Sequence, residues 1–167
     1  MNPQAPQTVT RSGQITTWLI SSGLASRAEI VGCSRTDLET VSEHFRTALP
    51  LGYFNFLSEC GRAAGAFMRG EGIFFPRLLK ARLIAEELLA QDECSELLAP
   101  GFIVFYQHDG YEFWCLDCRD EVPDPPVHYY VESSRRLDKV SGCFSDFLFA
   151  MVQEFTHLVA KPRQHPK

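Results

Sequence analysis

The chain has 167 residues, of which 45% are apolar and 22% charged, and its net charge is −5. This length suits one domain with a single core, and the apolar content excludes disorder of the whole chain. No apolar run approaches the roughly 20 residues that a membrane-spanning helix needs. The start lacks the basic segment of a secretory signal, and the six cysteines lie mostly in apolar patterns, so we expect a cytoplasmic protein with buried thiols.

The first clear helix is predicted to begin at Thr36, because Glu39 follows three residues later as in a capping box. Apolar residues then recur every three or four positions as far as Ala48, which predicts one buried stripe. Pro50 ends this helix and suits the first turn of a second one. Gly61 is well placed as the C-terminal glycine of that second helix.

A loop is predicted over residues 61–72, which are rich in Gly and Ala and have room for one short strand. Residues 73–75 are predicted to form another short strand or a turn. A third helix is predicted from Pro76, because apolar residues follow at helical spacing. These residues are Leu78, Ala81, Ala85 and Leu88.

Three strands are predicted next. Residues 102–106 form a continuous apolar run, which is typical of a strand covered on both faces. Asp109-Gly110 predicts a type I′ hairpin turn into a second strand over residues 111–117. Its alternation predicts Tyr111, Phe113 and Cys115 on one face and Glu112, Trp114 and Leu116 on the other. A third strand is predicted over residues 127–132.

A closing helix is predicted to begin near Ser145, which is a good N-cap residue. Helices and an antiparallel sheet in this order predict an α+β fold. We therefore expect a single domain over residues 13–160, with a central antiparallel sheet flanked by about four helices. Residues 1–12 and 161–167 are predicted to be flexible tails.

Three segments, in this order and spacing, resemble the SUKH superfamily, which includes the yeast regulator of cell-wall synthesis and many bacterial immunity proteins. Residues 49–57 (LPLGYFNFL) are similar to the helix start of that family. Residues 102–117, with the turn and DGYEFWCLD, are similar to its hairpin core. VHYY at residues 127–130, followed by FSDFL at residues 144–148, is similar to its ending. One departure is Cys60-Gly61-Arg62, which stands where many members have an Asn-Gly-Gly turn.

The resemblance implies a protein-binding module with no catalytic residue, no cofactor and no metal. We expect an immunity protein that binds and neutralises a cognate toxin. The alternative is a regulatory or adaptor domain that binds a host signalling or cell-wall-synthesis partner. We expect a monomer or a weak homodimer, with no membrane contact.

Acidic residues are concentrated between residues 91 and 125, a stretch that carries −8 while the rest of the chain sums to +3. Such a zone repels nucleic acid and favours a basic protein partner. The alternative is a merely solvated acidic face, with the aromatic residues packed in the core. The predicted partner-binding residues are Asp109, Tyr111, Glu112, Trp114, Asp120, Glu121 and Asp124.

One thiol motif, Cys115-x-x-Cys118, could indicate zinc or redox chemistry. No second pair accompanies it, and residues three apart in a strand point to opposite faces. A nucleophilic pair of Cys115 with His128 on a neighbouring strand is conceivable, but no nucleophile elbow or glycine-lined oxyanion site accompanies it. A small hydrolase or thiol enzyme thus remains a third interpretation, and it requires a depressed pKa at Cys115.

Overall fold

The computed structural model describes residues 10–160. The α-helices are α1 (Ile15–Ser21), α2 (Arg35–Phe45), α3 (Leu51–Cys60), α4 (Ala81–Gln91) and α5 (Phe144–Ala160). The strands are β1 (Ile30–Val31), β2 (Ala63–Ala64), β3 (Phe102–His108), β4 (Glu112–Asp117), β5 (Val127–Val131) and β6 (Asp138–Ser141). Helices packed on an antiparallel sheet confirm the predicted α+β domain. Within the described range, no helix is long and apolar enough to cross a membrane.

The central sheet has the strand order β3-β4-β5-β6, and all neighbours are antiparallel. The turn between β3 and β4 has φ of +48° at Asp109 and +80° at Gly110. Two left-handed residues in succession are what a type I′ turn requires, as predicted from the sequence. A second, two-stranded sheet pairs β1 with β2.

Both faces of the central sheet are covered. On one face, Leu116 and Val127 belong to a large core shared with α3 and α5, in which the Phe105 and Phe144 rings lie 5.3 Å apart. On the other face, Phe113 belongs to a smaller core shared with α4. The first five residues of β3 are all buried, which confirms the prediction of a strand covered on both faces.

Three helix starts differ from the prediction. The third predicted helix begins as an α-helix at Ala81 rather than at Pro76, because residues 77–80 form a 3-10 helix. Helix α2 begins at Arg35, because the capping box is formed by Ser34 and Asp37 rather than by Thr36 and Glu39. The Asp37 N–H donates to Ser34 Oγ (3.2 Å), and the Ser34 N–H donates to Asp37 Oδ2 (2.8 Å). Helix α5 begins one residue before Ser145, whose hydroxyl instead accepts a hydrogen bond from the Ser12 N–H (2.8 Å).

The beginning of the described chain is packed on the domain. Thr10 and Ser12 are buried, and Asn55 Nδ2 donates to Thr10 Oγ1 (2.9 Å). Residues 10–12 therefore belong to the fold, which differs from the prediction that the tail extends to residue 12. The rest of that predicted tail, residues 1–9, and the predicted tail at residues 161–167 lie outside the described residues.

Candidate partner-binding site

The predicted partner-binding residues lie at two ends of the central sheet. Residues 109–114 belong to the β3–β4 turn and the beginning of β4, whereas residues 120–124 belong to the loop after β4. The three residues of β4 that follow Trp114 separate the two groups by roughly 10 Å along the strand. The structure therefore divides the predicted set into two surfaces.

An aromatic row crosses the sheet beside the turn. Trp114 on β4 pairs with Tyr106 on β3 and with Tyr129 on β5. The centroid of the Trp114 ring lies 4.6 Å from that of Tyr106 and 4.7 Å from that of Tyr129. Trp114 and Tyr129 are partly exposed, and Tyr106 is buried. Because the rings pack on one another across three strands, they form a rigid aromatic surface.

Carboxylates hold the hydroxyl ends of this row. Glu112 accepts a hydrogen bond from the Tyr129 hydroxyl, and burial together with this bond raises the pKa of Tyr129 to about 12. Glu71 Oε2 accepts from the Tyr106 hydroxyl at 3.2 Å. Glu71 is absent from the predicted set, because it lies on a loop far from the strands in sequence and no local pattern marks it.

His108 connects Glu71 to the turn. Its Nδ1 lies 2.9 Å from Glu71 Oε2, and its Nε2 lies 3.5 Å from Asp109 Oδ2. The hydrogen bond to Glu71 raises the pKa of His108, and the negative charges nearby act in the same direction. The ring of Tyr111, a residue that is 41% exposed, packs edge-on against the His108 ring.

These residues define one surface that combines an exposed tyrosine and two partly exposed aromatic rings with carboxylates. We call it the hairpin surface. It comprises Glu71, His108, Asp109, Tyr111, Glu112, Trp114 and Tyr129. Its three carboxylates outnumber its one histidine, so it is negatively charged at neutral pH.

The loop after β4 presents a different surface. Asp120 and Glu121 are exposed. Asp124 is partly buried, and its Oδ1 accepts a hydrogen bond from the Ser145 N–H (3.1 Å) at the start of α5. In the same loop, the Pro123 carbonyl accepts a hydrogen bond from the Gly52 N–H (2.8 Å). Asp124 thus has a structural role at helix N-termini, and we do not include it in the hairpin surface.

The family model described as SMI1 / KNR4 family (SUKH-1) matches residues 32–150. This range runs from just before α2 into α5 and includes most of the chain. The chain belongs to the SMI1/KNR4 (SUKH-1) family. The resemblance predicted from the sequence is thereby confirmed, and membership fits a protein-binding module of the immunity or regulatory kind. No curated protein matches the chain.

Two thiols of this SUKH-1 domain, Cys115 and Cys118, lie in environments that disfavour a reactive thiolate. Cys115 and His128 are direct cross-strand partners, as conceived from the sequence. However, Cys115 is fully buried, and desolvation raises its pKa. A catalytic cysteine requires a lowered pKa and access to solvent. Burial also raises the pKa of Cys118 to about 12. Across residues 10–160, no group of three or more potential ligands gathers as a metal site would.

Proposed function

We propose that this domain is a cytoplasmic, non-catalytic immunity protein, which neutralises a toxin by binding a basic surface of that toxin at its hairpin surface. The observation that supports this proposal is the aromatic row of Tyr106, Trp114 and Tyr129, with carboxylates at its hydroxyl ends. Tyrosine and tryptophan dominate the residues that contribute most to binding energy in protein interfaces.

The position of these side chains on paired strands favours binding. Trp114 and Tyr129 are held in place by cross-strand packing, so little side-chain entropy is lost when a partner binds. Tyr111 stands at the turn and is exposed, which makes it available for insertion into a partner. The carboxylates of Asp109 and Glu112 complement a basic partner and raise its association rate at low salt.

Free thiols support the cytoplasmic location. Each of the six cysteines is free, and four of them are buried. Proteins that function in an oxidising compartment commonly pair their cysteines, whereas a reducing compartment keeps them as thiols. A cytoplasmic location also suits an immunity protein that must meet a toxin inside the cell that it protects.

A regulatory or adaptor domain is the second candidate function, because the matching family is described by the names SMI1 and KNR4 and the sequence resembles a superfamily with a cell-wall-synthesis regulator. The same hairpin surface would then bind a host signalling or cell-wall-synthesis protein. The neighbouring gene separates the two functions: a gene for a large secreted toxin favours immunity, and an isolated gene favours regulation.

Affinity capture from the native host tests the proposal. Tyr111→Ala removes an exposed ring, and Asp109→Asn removes a charge while Asn still tolerates the left-handed turn. We expect each variant to weaken binding of the captured partner, by roughly tenfold for Tyr111→Ala. Asp120→Asn and Glu121→Gln, at the other end of the sheet, are the matched controls and should bind as the unchanged protein does.

Two results would count against the proposal. A partner that binds Tyr111→Ala and Asp109→Asn with unchanged affinity contradicts the assignment of the hairpin surface. A partner that is not toxic when it is expressed without this protein contradicts the immunity role and favours the regulatory one.

A further inference from the structure

A groove of about 650 Å³ opens between the end of α2, the exposed side of α4 and the beginning of β3. Its apolar lining includes Phe45, Leu79, Leu83 and Phe102. Leu83, the third residue of α4, is 59% exposed. A volume of this size falls within the range of ligand sites, which is roughly 300–1,000 Å³.

Basic side chains line the same groove. Arg82 is held in place, because its Nε lies 2.7 Å from Glu86 Oε1 and its Nη1 donates to the Phe102 carbonyl at 2.9 Å. His44 and Arg46 are exposed, and neither forms an ion pair with another residue in the range 10–160. Glu86 also lines the groove, so Arg46 and Arg82 leave it a formal charge of +1, on a chain whose net charge is −5.

The geometry points to a second binding site in this groove, and we propose that it binds an acidic peptide segment of a protein partner, with an apolar side chain between carboxylates. The apolar side chain would pack on Leu79, Leu83 and Phe102. The flanking carboxylates would pair with Arg46 and with the free donors of Arg82, since guanidinium groups bind carboxylates in a bidentate manner.

The groove is independent of the hairpin surface. The groove is lined by Phe102, the first residue of β3, whereas the hairpin surface includes His108, the last residue of the same strand. The length of the strand separates the two by roughly 20 Å. Because the two surfaces are separated and opposite in charge, a basic segment can bind the hairpin surface while an acidic segment binds the groove.

Nuclear magnetic resonance titration of the full ¹⁵N-labelled chain tests this proposal. The probe is a capped pentapeptide, Glu-Asp-Phe-Asp-Glu, and the matched control has alanine in place of phenylalanine. We expect the probe to shift the amides of Arg46, Leu83 and Gly101, and the control to bind more weakly. Arg46→Glu should weaken binding by about fivefold, the upper end of what one exposed ion pair contributes. Arg27→Glu, an exposed arginine outside the groove, should leave it unchanged.

A second variant addresses the apolar part of the site. Leu83→Ser should weaken binding of the phenylalanine peptide and leave binding of the alanine peptide unchanged. Because Leu83 is exposed, this change should preserve the dispersed spectrum of a folded chain. The absence of shifts at millimolar peptide, equal binding to Arg46→Glu, or stronger binding of a single-stranded oligonucleotide at the same amides would each overturn the proposal. Concentration-dependent shifts of these amides without peptide would instead assign the groove to a second copy of the chain.

Discussion

The carboxylate of Asp124 accepts a hydrogen bond from the backbone N–H of Ser145, two positions into the closing helix α5. The same carboxylate packs against the Gly52 backbone in the first turn of α3, where an added Cβ would lie 2.5 Å from Asp124 Oδ1. One acidic side chain thus connects the loop after β4 to the beginnings of two helices. The favourable interaction of a carboxylate with helix N-termini explains why an acid occupies this position.

Replacing Asp124 by alanine should destabilise the fold by about 1 kcal/mol, because the Ser145 N–H loses its acceptor. Asp124→Asn keeps an acceptor oxygen and should cost clearly less. Asp120→Ala, in the same loop but exposed, should change the free energy of unfolding by less than about 0.5 kcal/mol. Urea denaturation of the three variants measures these differences. Equal losses for Asp124→Ala and Asp120→Ala would contradict the structural role of Asp124.

The protonation of His108 should depend on Glu71. Because the Glu71 hydrogen bond raises the pKa of His108 in the folded state, its protonation stabilises the fold below about pH 6.5, the unfolded value. This contribution is lost as the pH rises through the folded-state pKa. Nuclear magnetic resonance titration of the imidazole should give a midpoint above 6.5, and Glu71→Gln should lower it.

The same titration contains its own control. His128 should titrate below about 6.5, because burial lowers its pKa, and Glu71→Gln should not move it. If Glu71→Gln left the His108 midpoint unchanged, the ion pair would not govern this residue. Protonated His108 also places a positive charge within the hairpin surface, so a basic partner should bind more weakly as the pH falls through the same range.

The parts of the fold that could be predicted are those with a local signal. Strands β3 and β4 were predictable because an apolar run leads into Asp109-Gly110, whose composition selects the hairpin turn. Strand β6 was not predictable. Three of its four residues are exposed and show no alternation, so its place in the sheet depends on pairing with β5 rather than on its own pattern.

Long-range contacts decided the remaining differences. Two residue pairs have the spacing of a capping box: Ser34 with Asp37, and Thr36 with Glu39. The helix start predicted from the sequence rested on the second pair. In the structure, Arg62 donates to both oxygens of Asp37 at 2.7 and 2.8 Å, an interaction between residues 25 positions apart. Glu71 reaches the hairpin surface in the same way, through contacts with β3. No local pattern contains either contact.

Chemical labelling should find Cys115 unreactive in the folded protein. Its thiol is fully buried, and desolvation raises its pKa. With iodoacetamide at pH 8, we expect Cys143 to react first, because it is partly exposed. Cys115 should react at least about 100-fold more slowly, because its thiol becomes accessible only when the protein unfolds. Mass spectrometry of the labelled peptides measures both rates. Rapid labelling of Cys115 in the native protein would instead favour a thiol enzyme.

The close packing of the segment before α2 on α3 makes Gly32 a sensitive position. A Cβ at Gly32 would lie 1.9 Å from the Ser58 carbonyl oxygen, far inside van der Waals contact. Gly32→Ala should therefore destabilise the fold by about 2 kcal/mol or more, because backbone must move to accommodate it. At Gly142, no atom lies within 4 Å of an added Cβ, so Gly142→Ala should change stability by less than about 0.5 kcal/mol. Urea denaturation with unchanged slope separates the two variants, and a Gly32→Ala variant as stable as Gly142→Ala would show that this segment does not pack on α3.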